Sequence, residues 1–173
     1  GINLAKLDIR QESSRHSQLI AEYVKKKFNQ NYSHWDENKK INFLSKNLKS
    51  KKNNINNFTF KNRENKEVWS TFKAIASEPS ECLGAYVISM TSSASDILTV
   101  SFLQKEAKIK NKLRVVPLFE TLDDLINAKP IMEKLFSLGW YRKLINYKQE
   151  IMIGYSDSSK DAGKLSASWH QYK

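Results

Sequence analysis

The sequence predicts an α/β fold built on a parallel sheet, and three observations carry that expectation. Short runs of apolar, β-favouring residues recur at 4–9, 84–90, 114–119 and 151–153. Between them lie longer segments with apolar residues every three or four positions, the period of a helix with one buried face. Each strand-like run also ends in polar residues: Arg10, then Ser89, then Glu120, then Asp157 and Lys160. Such alternation argues for parallel neighbours joined by right-handed crossovers. Polar strand ends gathered on one face are where α/β folds keep their chemistry. The pattern alone admits both part of a β/α barrel, with about four parallel strands and many helices, and an open doubly wound sheet.

In chain order, Leu4, Lys6, Leu7 and Ile9 alternate loosely and predict a strand ending near Ile9. Leu19, Ile20, Tyr23, Val24 and Phe28 recur at helical spacing and predict an amphipathic helix over 14–30, with His16 at its start. Ile41, Phe43, Leu44 and Leu48 mark a second helix, and His34 before it reads as a solvent-facing or capping residue. Residues 50–65 are rich in Lys and Asn and poor in apolar side chains, which predicts an exposed loop. A third helix from about Glu67 turns Val68, Phe72 and Ile75 inward and ends before Pro79. The run 84–90 predicts a buried strand, followed by candidate caps Thr91, Ser92, Ser93 and Ser95 and a helix through Ile97, Leu98, Val100, Leu103 and Ala107. Pro117 removes a ladder donor from the strand at 114–119 and predicts a strand end or bulge. Helical patterns at 122–127 and 131–138 are divided at Pro130, with Gly139 as a stop and a short helix over 140–147. Residues 151–153 predict a fully buried strand that breaks at Gly154 into a polar cluster, and 164–173 start a helix.

The chain has 173 residues, 40% of them apolar, enough for the core of one ordinary domain. No run approaches the ~18 apolar residues of a membrane helix, and the opening ten residues lack a secretory pattern. The single Cys82 cannot form an internal disulfide and reads as a buried thiol in a reducing, cytoplasmic setting. The net charge of +11 could serve a nucleic-acid surface. The lysines are spread among asparagines without an arginine-rich helix, so a solvated surface is the preferred reading and nucleic acid is not the expected partner. With no initiator Met, and Lys173 falling inside a helical pattern, the chain is expected to be a piece of a longer protein.

Glu120 and Asp157, at the ends of neighbouring strands with no His or Cys nearby, suit a hard divalent cation such as Mg²⁺, although pairing with local lysines reads equally well from the residues alone. Arg10 alone reads equally as a surface arginine paired to Asp8 or Glu12.

The run G-Y-S-D-S-S-K-D-A-G at 154–163 resembles a signature of phosphoenolpyruvate carboxylase, with only position 159 free in the family's pattern. Three further blocks carry the same resemblance: L-D-I-R-Q-E-S-x-R-H at 7–16, G-A-Y-V-I-S-M with the later S-D-I-L and Q-K-E-A within 84–107, and V-V-P-L-F-E-T-L-D-D-L at 115–125. Ala94 stands where the family often has proline. The resemblance implies that residues 1–173 are an incomplete catalytic β/α (TIM-type) barrel, about half of eight strands. It implies carboxylation of phosphoenolpyruvate by bicarbonate to oxaloacetate and phosphate, dependent on Mg²⁺ or Mn²⁺. By the same resemblance Glu120 and Asp157 hold the metal, while Arg10 and Lys160 act on the substrate's anionic groups. The expected partners are phosphoenolpyruvate, bicarbonate and the rest of the same enzyme chain, in a homo-oligomer when complete. The family's Gly-His-Pro-Thr block with its catalytic histidine and its Gly- and Arg-rich phosphate loop are not among these residues. The chain alone is therefore expected to be inactive. The alternatives are a basic nucleic-acid-binding module and a scaffold fragment without catalysis.

Overall fold

The computed structural model describes residues 5–51 and 55–172. Four strands, β1 (Leu7–Glu12), β2 (Leu83–Ser89), β3 (Arg114–Phe119) and β4 (Met152–Ile153), form one parallel sheet in the order β1-β2-β3-β4. Strand order follows chain order without the reversal that defines a doubly wound sheet. Among the described residues the sheet is open, so no closed barrel is present.

Helices α1 (Ser13–Phe28), α2 (Glu37–Lys49) and α3 (Arg63–Ser77) separate β1 from β2, and α4 (Ala94–Glu106) separates β2 from β3. After β3 come α5 (Leu122–Phe136), α6 (Gly139–Leu144), β4, α7 (Tyr155–Ala162) and α8 (Lys164–Tyr172). The period-2 alternation of β2 sorts its side chains. Tyr86 and Ile88 join the large core of the helices with Leu19, Phe72, Leu98 and Phe119. Ala85 and Val87 form a separate buried cluster with Val116 and Leu118 of β3. Arg10 pairs in register with Val87 and so belongs to this second face.

β1 runs on through Arg10, Gln11 and Glu12 instead of ending near Ile9, because all three pair with β2; the expected start at Leu4 lies outside the described residues. The β1–β2 register shifts between Leu7 and Ile9. There the Asp8 carboxylate accepts the Ala85 N–H at 2.7 Å, and a Cβ on Gly84 would overlap that carboxylate. Pro117 makes no bulge: it closes the β2–β3 register opposite Ile88, and pairing with β4 begins one residue later at Leu118.

Most described residues of 50–65 are exposed, yet the segment is anchored. Ile55 and Phe60 are buried, the buried Glu106 accepts the Ile55 N–H at 2.6 Å, and Glu22 accepts the N–H groups of Lys61 and Asn62. Residues 63–65 already belong to α3, capped by Asn62. Burial alone would push the Glu22 carboxyl up, but hydrogen bonds from Asn65, Lys26 and the two backbone amides hold it down at about 2.

Four further expectations are corrected. The patterns on either side of Pro130 are one helix: the residue that loses its bond to Pro130, Ile126, lies at the surface, where solvent can satisfy its carbonyl. Gly139 opens α6 rather than only stopping the helix before it. Ile151, Met152 and Ile153 are 43%, 36% and 40% exposed rather than buried, because β4 is an edge strand with two paired residues. Cys82 is half-buried. His34 is exposed, as expected.

Candidate active site

The carboxyl end of β3 is fixed by its own sequence. Thr121 caps α5 and Asp124, three residues on, completes a capping box. The Asp124 carboxylate accepts the N–H groups of Glu120 and Thr121 at 3.1 and 3.0 Å, and Thr121 Oγ1 accepts the Asp124 N–H at 3.1 Å. This leaves the Glu120 side chain, only 12% exposed, directed from a rigid backbone.

Arg10 reaches Glu120 from two strands away. Its Nη2 donates to Glu120 Oε1 at 2.6 Å while 55% of the Arg10 side chain stays exposed. The partners expected from sequence are engaged elsewhere: Asp8 holds the Ala85 N–H, and Glu12 accepts the Ser14 hydroxyl. The pair uses one of the five guanidinium donors and one carboxylate oxygen, so both groups retain capacity for a ligand.

The signature run approaches from β4. The Gly154 N–H donates to the Phe119 carbonyl at 3.0 Å, and a Cβ on Gly154 would stand 2.9 Å from Glu120 Cγ. Glycine is required here by close approach, since its φ of −86° is open to any residue. The polar cluster then winds into α7. Asp157 lies in its first turn, where the helix dipole favours a negative charge, and Lys160 follows in the last turn. Both are exposed.

The remaining signature residues hold α7 in place. Ser158 is fully buried, donates to the Gly154 carbonyl at 2.7 Å and accepts from Gln171 Nε2 of α8 at 2.8 Å. Asp161 Oδ2 accepts the Leu122 N–H at 2.8 Å, joining α7 to the first residue of α5.

Arg10 and Glu120 are therefore in contact, and Gly154 seats the start of α7 against Glu120. Asp157 and Lys160 lie on that helix, in its first and last turns. The donor set suits a hard cation that takes one or two carboxylates and keeps several waters. Among the described residues no group of three or more His, Cys, Asp and Glu side chains gathers to hold a metal. A cavity of about 370 Å³ lined by Arg114, Tyr141 and Gln149 lies at the amino end of β3 and includes none of these residues.

Sequence reasoning missed a buried polar cluster behind β1. His16 is fully buried, with Nε2 2.8 Å from the Tyr86 hydroxyl, which donates to Gln11 Oε1 at 2.6 Å. Burial, and after it the Arg15 charge, lowers the imidazole to about 3, so His16 is neutral. The signal was available: His16 precedes Leu19 and Ile20 by three and four residues, on the buried face of α1.

The phosphoenolpyruvate carboxylase family model matches residues 1–173. The chain belongs to this family. It is 49% identical over 173 residues to the C4 phosphoenolpyruvate carboxylase of Flaveria trinervia, covering all of this chain and 18% of that protein. It is 49% identical over 180 residues to the phosphoenolpyruvate carboxylase of Acinetobacter baylyi, covering 20% of it, and 48% identical over 174 residues to phosphoenolpyruvate carboxylase 3 of Arabidopsis thaliana, covering 18% of it. The chain thus spans about a fifth of the length of the curated phosphoenolpyruvate carboxylases it matches. No helix among the described residues is long and apolar enough to cross a membrane.

Proposed function

We propose that residues 1–173 form part of the β/α barrel of a cytoplasmic, oligomeric phosphoenolpyruvate carboxylase and supply the metal-binding side of its active site. The observation that carries this reading is the 2.6 Å pair between Arg10 and Glu120 beside Gly154. It brings three widely separated family blocks to one point at the carboxyl ends of β1, β3 and β4. Sequential strand order, with the helices' core on one face and a small apolar cluster on the other, is what successive strands of a barrel require.

In this reading Glu120 and Asp157 would hold Mg²⁺ or Mn²⁺, which would supply Lewis-acid stabilisation of negative charge. Arg10, positioned by Glu120, presents its planar donor fork to the phosphate or carboxylate of phosphoenolpyruvate. Bicarbonate oxygen attacks phosphorus, breaking the bond from phosphorus to the enol oxygen and giving carboxyphosphate and the enolate. Carboxyphosphate releases CO₂ and phosphate, and the enolate carbon attacks CO₂ to form oxaloacetate. Lys160 offsets negative charge on the bicarbonate or phosphate side. Proton transfer and the rest of the phosphate cradle belong to segments beyond this chain.

The test is kinetics of the full-length protein carrying single substitutions. Asp157→Asn should weaken Mn²⁺ binding and lower turnover by orders of magnitude, since the metal's charge stabilisation amounts to several kcal/mol. Arg10→Lys should raise KM for phosphoenolpyruvate, and Lys160→Met should lower turnover more than stability. Normal kinetics and metal affinity in all three would place the site elsewhere.

A further inference from the structure

Within the proposed site, Glu120 and Asp157 sit on different elements, one at the end of β3 and one in α7, and their relation has to be fixed by something other than their own contacts. The structure offers few ties between these elements beyond the backbone bond from Gly154 to Phe119. One of them is Asp161. It lies one helical turn past Asp157 on the same helix, and its Oδ2 accepts the N–H of Leu122, the first residue of α5 and the second after Glu120.

The consequence is a short segment held by carboxylates. The N–H groups of Glu120 and Thr121 go to Asp124, and that of Leu122 goes to Asp161. Asp124 belongs to α5, so its bonds fix the local turn only. Asp161 belongs to α7, so its bond carries the position of α7 to the backbone that aims Glu120. The bond is charge-assisted and falls on an open N–H of the first helical turn, the kind of end group that must find a partner outside its helix. One turn before Asp161 on the same side of α7, Ser158 bonds back to Gly154 and, through Gln171, ties the helix to α8. The two ties act at different points, so removing one leaves α7 folded yet able to shift.

We propose that Asp161 is a positioning residue for the divalent-cation site: its bond to Leu122 sets α7, and with it Asp157, against Glu120. This inference rests on the reading of Glu120 and Asp157 as metal ligands. Outer-shell partners of ligating carboxylates commonly change metal affinity by 10- to 100-fold when removed, and Asp161 acts at one further step through the helix. An effect of about tenfold is expected.

The test is a Mn²⁺ titration, read by electron paramagnetic resonance of free and bound ion, on the full-length protein and its Asp157→Asn, Asp161→Ala and Asp161→Asn variants, with a thermal melt of each. Asp161→Ala should weaken Mn²⁺ binding about tenfold while the melting temperature stays close to that of the parent. Asp161→Asn retains an oxygen acceptor for the Leu122 N–H and should recover most of the affinity. Wild-type affinity in Asp161→Ala, with Asp157→Asn impaired, would overturn the positioning role and leave the metal site standing. Equal losses in Asp161→Ala and Asp161→Asn would also overturn it, by assigning the effect to charge. Wild-type affinity in Asp157→Asn would overturn the metal site itself and this inference with it.

Discussion

Replacing Gly154 by alanine is the smallest change that reaches the candidate site. The backbone there, φ −86° and ψ 90°, is accessible to alanine, so the cost comes from space alone. The added Cβ would stand 2.9 Å from Glu120 Cγ and 3.4 Å from both Glu120 Cα and Cβ. Cγ is no loose chain end: the carboxylate beyond it is bound to Arg10, and the backbone before it is bound to Asp124. Overpacking at such a point costs about 1–3 kcal/mol, either by turning the Glu120 side chain or by moving β4 off β3. Both routes disturb the Arg10–Glu120 pair, so Mn²⁺ affinity should fall with stability. The assay is a double-mutant cycle by thermal denaturation and Mn²⁺ titration in the full-length protein, with Glu120→Ala as the second substitution. Removing Cγ should abolish most of the stability cost of Gly154→Ala, a coupling well outside the ~0.5 kcal/mol expected of independent sites. Strict additivity, or no loss from Gly154→Ala alone, would refute the close-approach argument.

Two further outcomes are expected. The His16 imidazole is lowered to about 3 in the folded protein from an ordinary value of 6.5, so its contribution is fully present above pH 6.5 and lost as pH falls toward 3, at up to ~1.4 kcal/mol per pH unit. Urea midpoints measured from pH 7 to 5 should show this slope in the parent and a reduced slope in His16→Gln, and parallel curves would contradict it. Residues 1–173 purified alone should form no oxaloacetate in a coupled assay and should aggregate readily, because among the described residues neither β1 nor β4 has a second strand partner; carboxylation by the isolated chain would reject the partial-site account.

The elements whose identity rests on period were legible from the residues. Leu19, Ile20, Tyr23 and Val24 announced α1, and all four are fully buried. Tyr86, Val87 and Ile88 announced the central strand, and they are buried as expected. What failed depended on tertiary context. The run at 151–153 looks like an interior strand because its residues are apolar, and nothing local says that only two of them find a partner. Pro130 looks like a boundary because its cost in a helix is local, while its tolerance depends on the exposure of Ile126. Ile55 and Phe60 are two apolar residues in a polar stretch, too few for a pattern, and the acids that anchor the segment at Ile55, Lys61 and Asn62 lie 51, 39 and 40 positions away. In the candidate site, the family resemblance pointed to Arg10, Glu120, Asp157 and Lys160, but the partner of Arg10 lies 110 residues on. The roles of Ser158 and Asp161 become visible only once the signature is seen as a helix.

The central claim, that Glu120 and Asp157 hold one divalent cation at the carboxyl end of the sheet, is tested most directly by anomalous diffraction from Mn²⁺ in crystals of the full-length protein. The account predicts a strong peak in contact with the carboxylates of both Glu120 and Asp157. A peak bound by other residues, with neither carboxylate in contact, would contradict it.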